Sequence, residues 1–158
     1  MLVPIDGVDF APYVEVLLRP AGGSTIADRV VVVTDADPTV PGNRKADLEA
    51  QAAGWGTGGK LNVITNAVTL EYELFHAGNK ALLKTAFLAL YPQSEDRWIQ
   101  EVDAAQPNDQ AKAFVDLLTK KQTRKGDFAQ RVADLIEGGQ PFQVPEYLAQ
   151  AIRKAAEE

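Results

Sequence analysis

Short apolar runs alternate with helical patterns in the first part of the chain. Residues 29–34, RVVVVT, form a run of mainly β-branched side chains, which is typical of a strand covered on both faces and hence of a parallel sheet with flanking helices. Residues 2–5 and 61–65 are shorter apolar runs, which we interpret as further strands beside a central strand at 29–34. We predict helices over residues 10–18, where apolar positions recur at helical spacing, and over residues 44–53.

The helical period dominates from residue 70 onward. It predicts successive helices, the last of which starts at Pro145, a residue that favours the first helical position. No internal repeat and no clear linker interrupts the sequence. We therefore predict one domain, residues 1–158, with an α/β portion over residues 1–70 and a mainly helical portion over residues 71–158.

Composition narrows the class of protein. With 46% hydrophobic and 24% charged residues, the chain has the make-up of an ordinary packed domain. No apolar run approaches the roughly 20 residues that a membrane helix needs, so we expect no membrane partner. The start, MLVPIDGVDF, lacks the basic and apolar regions of a signal peptide. The sequence has no cysteine, which excludes disulfides, thiolate zinc sites and cysteine nucleophiles, and together these features favour a cytoplasmic protein.

The most informative segment is VVVTDADP, residues 31–38, where the predicted strand ends. In parallel α/β sheets, ligands bind outside the carboxyl ends of the strands. Asp35 and Asp37 at such an end can converge on one hard cation, Mg²⁺ or Mn²⁺, which would offset the repulsion between the two carboxylates. A polar turn after a buried strand explains the same residues without a metal.

The DADPTV run also fits the DxDx[TV] pattern of haloacid-dehalogenase-like phosphatases, in which Asp35 would be the nucleophile. Those proteins need a Ser or Thr at the end of a later strand, a Lys, and an acidic motif after another strand. Lys125-Gly126-Asp127 resembles the last two, but no strand pattern precedes it. We keep this phosphatase interpretation as an alternative.

Four blocks resemble, in order, the Toprim domain of OLD-family (overcoming lysogenization defect) ATP-dependent endonucleases. They are GVDFAPYVEVL (7–17), VVVTDADP (31–38), TLEYELFHAGN (69–79) and KGDFAQRVADLI (125–136). The resemblance spans nearly the whole chain. It implies an α/β fold with a Toprim-like parallel sheet flanked by helices and a helical C-terminal half. It also implies a metal-dependent DNA endonuclease or nickase that hydrolyses phosphodiesters with two Mg²⁺ or Mn²⁺ ions.

The resemblance assigns roles to individual residues. Asp35 and Asp37 become metal ligands, and Thr34 lies at the edge of the site. Glu71 becomes a candidate ligand for a second metal, and Lys125 a catalytic residue that stabilises transition-state charge. The alternatives are that Glu71 is an acid favoured by the helix dipole and that Lys125 is a surface lysine.

A cluster of basic residues supplies candidate contacts to a DNA substrate. The chain carries a net charge of -6, so a local basic patch is needed if it binds nucleic acid. Such a patch falls between residues 120 and 131, and its candidate DNA-binding residues are Lys120, Lys121, Arg124 and Arg131. A solvated helix face is the alternative interpretation.

One departure from the Toprim pattern bears on activity. Toprim domains carry a glutamate at the end of their first strand, in an EGxxE-like motif, whereas the only glutamate before Asp35 is Glu15, with no glycine beside it. The resemblance implies an ATPase module of an OLD-type protein as partner, in cis or in trans, and we also consider a homodimer. Without the glutamate we expect little or no DNA cleavage by these residues alone. A non-catalytic Toprim-derived binding module is the alternative function.

Overall fold

The computed structural model describes residues 2–5, 9–36 and 43–157. The chain forms two compact units, a sheet unit made of Met1–Val68 with Glu146–Glu158, and a helical unit made of Thr69–Pro145. Across the described ranges, no helix has both the length and the apolar character needed to cross a membrane.

The helices and strands follow the predicted pattern closely. In chain order they are α1 (Ala11–Leu18), β1 (Val30–Thr34), α2 (Arg44–Gly54), β2 (Leu61–Thr65), α3 (Leu70–Leu74), α4 (Lys80–Leu90), α5 (Glu95–Trp98), α6 (Gln110–Lys120), α7 (Lys125–Glu137) and α8 (Glu146–Ala156). Helices α3 and α5 each continue into a π-helical turn, at Phe75–Asn79 and Ile99–Asp103. Short 3₁₀ turns lie at Gly58–Lys60 and Pro107–Asp109.

The two strands of the sheet unit are parallel and in register. Val30 pairs with Leu61 at one end and Thr34 with Thr65 at the other, so both strands end at the same edge. A parallel pair needs a crossover connection, and α2 lies within that connection. This confirms the predicted α/β class and the parallel sheet flanked by helices.

Two details of the predicted sheet are wrong. Residues 2–5 are not a strand, and Leu2 is 93% exposed. The run is short, and its Pro4 has no backbone N–H to donate to a neighbouring strand. Among the described residues the sheet has two strands, so β1 is not central. Val33 is 36% exposed, so the face of β1 on which it lies is covered less fully than its apolar sequence predicts.

The core of the sheet unit joins helices α1 and α2 to the strands. Its buried residues are Val14, Leu18, Val32, Leu48, Ala52, Leu61 and Val63. Helix α8 also packs against both strands and buries Ala151. Arg29 donates hydrogen bonds to the backbone oxygens of Lys154, at 3.1 Å, and of Glu157, which satisfies carbonyls at the end of α8.

The core of the helical unit is built on aromatic rings. Phe114 lies at its centre, with its ring centroid 5.4 Å from that of Phe75, 5.6 Å from Trp98 and 5.9 Å from Phe128. Trp98 and Phe114 are fully buried. Rings in this distance range contribute about 0.5–1.5 kcal/mol per pair beyond the area that they bury.

A buried asparagine fixes the kink between α3 and α4. Gly78 adopts φ 103°, a backbone conformation that favours glycine, and Asn79 follows it. Asn79 Nδ2 donates to the backbone oxygens of Leu74, at 2.9 Å, and Gln143, at 2.8 Å. Its Oδ1 accepts from Gln143 N at 2.7 Å. One side chain thus joins the kink to the segment that follows α7.

We expect Asn79→Ala to destabilise the chain by about 2–3 kcal/mol, because three part-buried backbone hydrogen bonds lose their partner. Urea unfolding followed by circular dichroism measures this change. Asn108→Ala is the matched control, since Asn108 is an exposed asparagine of the same unit and should change stability by less than about 0.5 kcal/mol. Equal effects of the two substitutions would contradict the structural role of Asn79.

A second polar network ties α4 to the turn after α5. Lys80 Nζ lies 2.7 Å from Asp103 Oδ1, Lys84 Nζ lies 3.7 Å from Oδ2, and Trp98 Nε1 donates to Oδ1 at 3.1 Å. Burial by itself raises the pKa of Asp103, but the bond and charge of Lys80, the Trp98 N–H and the charge of Lys84 together hold the pKa below its usual range.

This network makes stability depend on pH. Because the pKa of Asp103 is lower in the folded chain than the value of about 3.9 in an unfolded one, its contribution is present above that pH and is lost as the pH falls through the folded pKa. We expect Asp103→Asn to cost about 1–2 kcal/mol at pH 7. In unfolding measurements against pH, the difference between the two proteins should shrink below about pH 4. A difference that stays constant down to acid pH would rule out this linkage.

Candidate functional site

The carboxyl ends of β1 and β2 bring two polar side chains together. Asp35 follows β1 and Asn66 follows β2, and the in-register pairing places both at one edge. Asn66 Nδ2 donates to Asp35 Oδ1 at 2.5 Å, and Asn66 Oδ1 accepts from Ala36 N at 3.3 Å. Asn66 is 5% exposed, so its amide holds Asp35 from a buried position.

A guanidinium group lies at the same edge. Arg44 is the first residue of α2, and its Nη1 donates to Thr34 Oγ1 at 2.9 Å and to the backbone oxygen of Asp35 at 3.1 Å. The helix is held at this end by Asn43, whose side chain accepts from Ala46 N at 3.1 Å. Both acceptors of Arg44 among the described residues are uncharged, so these two bonds position the guanidinium without neutralising it.

The edge offers oxygen ligands and one cation to a bound molecule. An ionised carboxylate has about four acceptor positions, so Asp35 keeps acceptor capacity beyond the bond from Asn66. Asp37, the second predicted metal ligand, lies outside the described residues. Within the described ranges, no group of three or more His, Asp or Glu residues could hold a metal ion. A cation bound at Asp35 would complete its shell with water or substrate oxygens, as Mg²⁺ commonly does.

Glu71 and Lys125, which the resemblance assigned to the same chemistry, are brought together in the helical unit. Lys125 Nζ lies 3.2 Å from Glu71 Oε1, and the Glu71 side chain is 14% exposed against 77% for Lys125. Glu71 lies in the first turn of α3, where Thr69 Oγ1 accepts from Tyr72 N at 3.4 Å. The ion pair explains how a carboxylate is accommodated at low exposure. That Glu71 and Lys125 share one site with Asp35, which belongs to the sheet unit, stays a prediction.

The predicted DNA-binding residues fall into two groups. Lys120 forms an ion pair with Glu101 at 2.7 Å, and Arg131 forms one with Asp134 at 3.6 Å. Hydrogen bonds from Lys120 and then Arg97 hold the pKa of Glu101 below its usual range, against the effect of burial. By contrast, Lys121 and Arg124 have no carboxylate partner within the described part of the chain. Lys121 Nζ instead lies 5.4 Å from the centroid of the Tyr91 ring.

No family model, curated protein or solved structure matches this chain. The likeness to Toprim domains therefore rests on the four sequence blocks. The candidate site rests on the bonds among Thr34, Asp35, Arg44 and Asn66.

Two residues of the site, Asn66 and Arg44, were missed by sequence reasoning. Asn66 directly follows an apolar run, as Asp35 does, so the rule about carboxyl ends applied to both strands would have found it. Arg44 begins the helix that follows β1, and in a β-α-β unit the start of that helix lies near the strand end. The sequence holds both signals, but it does not show which side chains meet.

We expect Asn66→Ala to destabilise the sheet unit by about 1–2 kcal/mol, because Asp35 and the Ala36 N–H lose a shared partner that is itself buried. Thermal unfolding measures the loss. Asn62→Ala is the control: Asn62 is half-buried in β2, the strand that Asn66 follows, and its side chain forms no hydrogen bond with another described residue. If Asn62→Ala costs as much, strand propensity rather than the bond to Asp35 explains the effect.

Proposed function

We propose that the edge formed by Thr34, Asp35, Arg44 and Asn66 is the centre of a divalent-cation-dependent nuclease that hydrolyses phosphodiester bonds of DNA. One observation carries the proposal: Asn66 holds the Asp35 carboxylate at the shared carboxyl end of two parallel strands, beside the anchored Arg44 guanidinium. This is the edge at which α/β sheets bind their ligands.

The donor set at this edge suits a hard cation. Carboxylate and other oxygen ligands are those that Mg²⁺ and Mn²⁺ prefer, and no soft sulfur ligand from cysteine is present in the sequence. When bound, a divalent cation supplies Lewis-acid stabilisation of charge on the phosphate. Asp35 would bind the cation, and Asn66 would keep the carboxylate oriented toward it.

Arg44 has the second role in this proposal. A guanidinium can contact two phosphate oxygens at once and stays charged at every physiological pH. Because Arg44 Nη1 is held by Thr34 and by the Asp35 backbone oxygen, the group would require little ordering when a phosphate binds. It would add positive charge where negative charge increases during displacement.

The resemblance to OLD-family Toprim domains extends the proposal. It implies DNA as the substrate and an ATPase module as partner. It also implies that Asp37 is a second metal ligand, that Glu71 binds a second cation, and that Lys125 stabilises the transition state. In the free helical unit Glu71 and Lys125 neutralise each other, so a cation at Glu71 would release Lys125 toward substrate.

Replacing Asp35 tests the cation site. Asp35→Asn removes the charge but leaves an oxygen that can accept from Asn66, so the fold should persist. We expect it to weaken Mn²⁺ binding at least about tenfold, as titration followed by electron paramagnetic resonance would show. Asp28→Asn is the control, because Asp28 is an exposed acid of the same unit whose described ion pair is with Lys60 at 3.5 Å.

Nicking of supercoiled plasmid in Mn²⁺ provides the catalytic readout. Because the first-strand glutamate is missing, we expect at most slow nicking by these residues alone. Asp35→Asn should abolish it and Arg44→Gln should reduce it, while Asp28→Asn leaves it unchanged. Nicking that survives Asp35→Asn would contradict the mechanism. Mn²⁺ binding that depends on Asp35 without any nicking, even with an OLD-type ATPase module added, would favour the binding-module alternative.

A further inference from the structure

A hollow of about 310 Å³ lies in the helical unit. Its lining residues are Leu90, Tyr91, Gln122, Arg124 and Asp127. They come from the end of α4, the connection between α6 and α7, and the first turn of α7. Tyr91 Oη donates to Thr123 Oγ1 at 3.0 Å, which joins the two walls. At Gln122 the chain reverses with φ 50°.

Among the described lysines and arginines of the helical unit, Lys121 and Arg124 are the two without a carboxylate partner, and both lie at this hollow. Lys120, Lys125 and Arg131 each have a carboxylate within 4.0 Å, from Glu101, Glu71 and Asp134. Arg124 lines the hollow, and Lys121 is held over the ring of Tyr91, one of its walls. The two described basic side chains of the unit that form no ion pair therefore lie at one place.

We infer that this hollow binds a phosphate of a nucleic-acid strand, with Arg124 as its main contact and Lys121 as a second. The inference rests on the proposed function in taking the phosphates to be those of the nuclease substrate. Planar guanidinium groups contact phosphate through two parallel hydrogen bonds. The polar lining suits a charged group that stays partly hydrated better than it suits an apolar ligand.

A polymer fits this surface better than a small anion. A single phosphate at an exposed hollow gains little, because water and salt screen its charge. A strand gains from each additional phosphate that is neutralised, here by Lys121 beside Arg124, and from the counterions released. Tyr91 cannot easily act as a base-stacking platform, because its ring already has Lys121 over it and the Phe87 ring 5.1 Å away.

Replacing Asp127 should change the affinity in the opposite direction from replacing Arg124. It lines the same hollow and its carboxylate opposes any anion there. Asp127→Asn should therefore strengthen binding of a phosphate, whereas it should weaken binding of a cationic ligand.

The experiment is fluorescence anisotropy of a labelled DNA strand, single and duplex, with the full chain in EDTA. Chelation removes the cation site from the measurement. We expect Arg124→Gln to weaken binding roughly tenfold, the effect of one charge-assisted hydrogen bond. The slope of log affinity against log salt should fall by about 1. Lys121→Gln should weaken binding in the same direction, and Asp127→Asn should strengthen it.

Lys120→Gln and Arg131→Gln are matched controls that remove the same charge from the same unit. Their partners stay satisfied, since Glu101 keeps Arg97 at 2.5 Å and Asp134 accepts from Gln130 at 2.8 Å. Arg124 makes no capping bond to α7, so its replacement should not unfold the helix. We expect the controls to change affinity by less than about twofold.

Three results would overturn the inference. The first is that the Arg124→Gln protein binds DNA as tightly as the wild type. The second is that the control substitutions weaken binding as much as Arg124→Gln does, and the third is that pyrophosphate displaces labelled DNA as well as unlabelled DNA does at equal phosphate concentration. The result for Asp35→Asn separates the two proposals. If Asp35→Asn leaves Mn²⁺ binding intact while Arg124→Gln weakens DNA binding, the hollow is supported and the catalytic proposal fails.

Discussion

The parallel pairing of β1 and β2 determines where chemistry can occur in the sheet unit. Five residue pairs, from Val30 with Leu61 to Thr34 with Thr65, keep the strands in register. A slip of either strand by one residue would turn its own valine, Val32 in β1 or Val63 in β2, away from the core that they share with α1 and α2. The same slip would separate Asp35 from Asn66, so the packing of the apolar face also sets the geometry of the polar edge.

Charge compensation differs between the two units. In the helical unit, Lys125, Lys120 and Arg131 are each matched by a carboxylate. Exposed pairs of this kind contribute little stability, typically less than about 1 kcal/mol, but they reduce the field that a ligand would experience. In an acidic chain, the basic side chains without a carboxylate partner therefore matter more for binding an anionic ligand than the total number of basic residues.

At the sheet edge, by contrast, charged side chains are held by neutral partners. Asp35 is held by a neutral amide, and Arg44 is held by a hydroxyl and a backbone oxygen. Neutral partners fix the position of a charged side chain while leaving its charge for a ligand. An ion pair between Asp35 and Arg44 would have stabilised the free chain and weakened both groups as binding residues. Packing of α1, α2 and α8 on the strands stabilises the unit that holds these two charged groups.

Local pattern by itself determined the elements and the class of the fold. The run VVVVT predicted a strand of a parallel sheet, the helical spacing after residue 70 predicted the helices, and Asp35 was found because it follows that strand. These properties depend on neighbouring residues, so one sequence suffices. Tertiary structure decided what each face meets. Residues 2–5 have no strand partner among the described residues, and α8 packs on the sheet, where Arg29 bonds to its C-terminal end. The tertiary structure also places Asn66 and Arg44 beside Asp35. It joins Glu71 to Lys125, and it gives Arg124 no carboxylate partner in the part of the chain that the structure describes. An amphipathic pattern shows that a side chain must find a partner, whereas the choice of partner depends on the packing of segments that are distant in sequence.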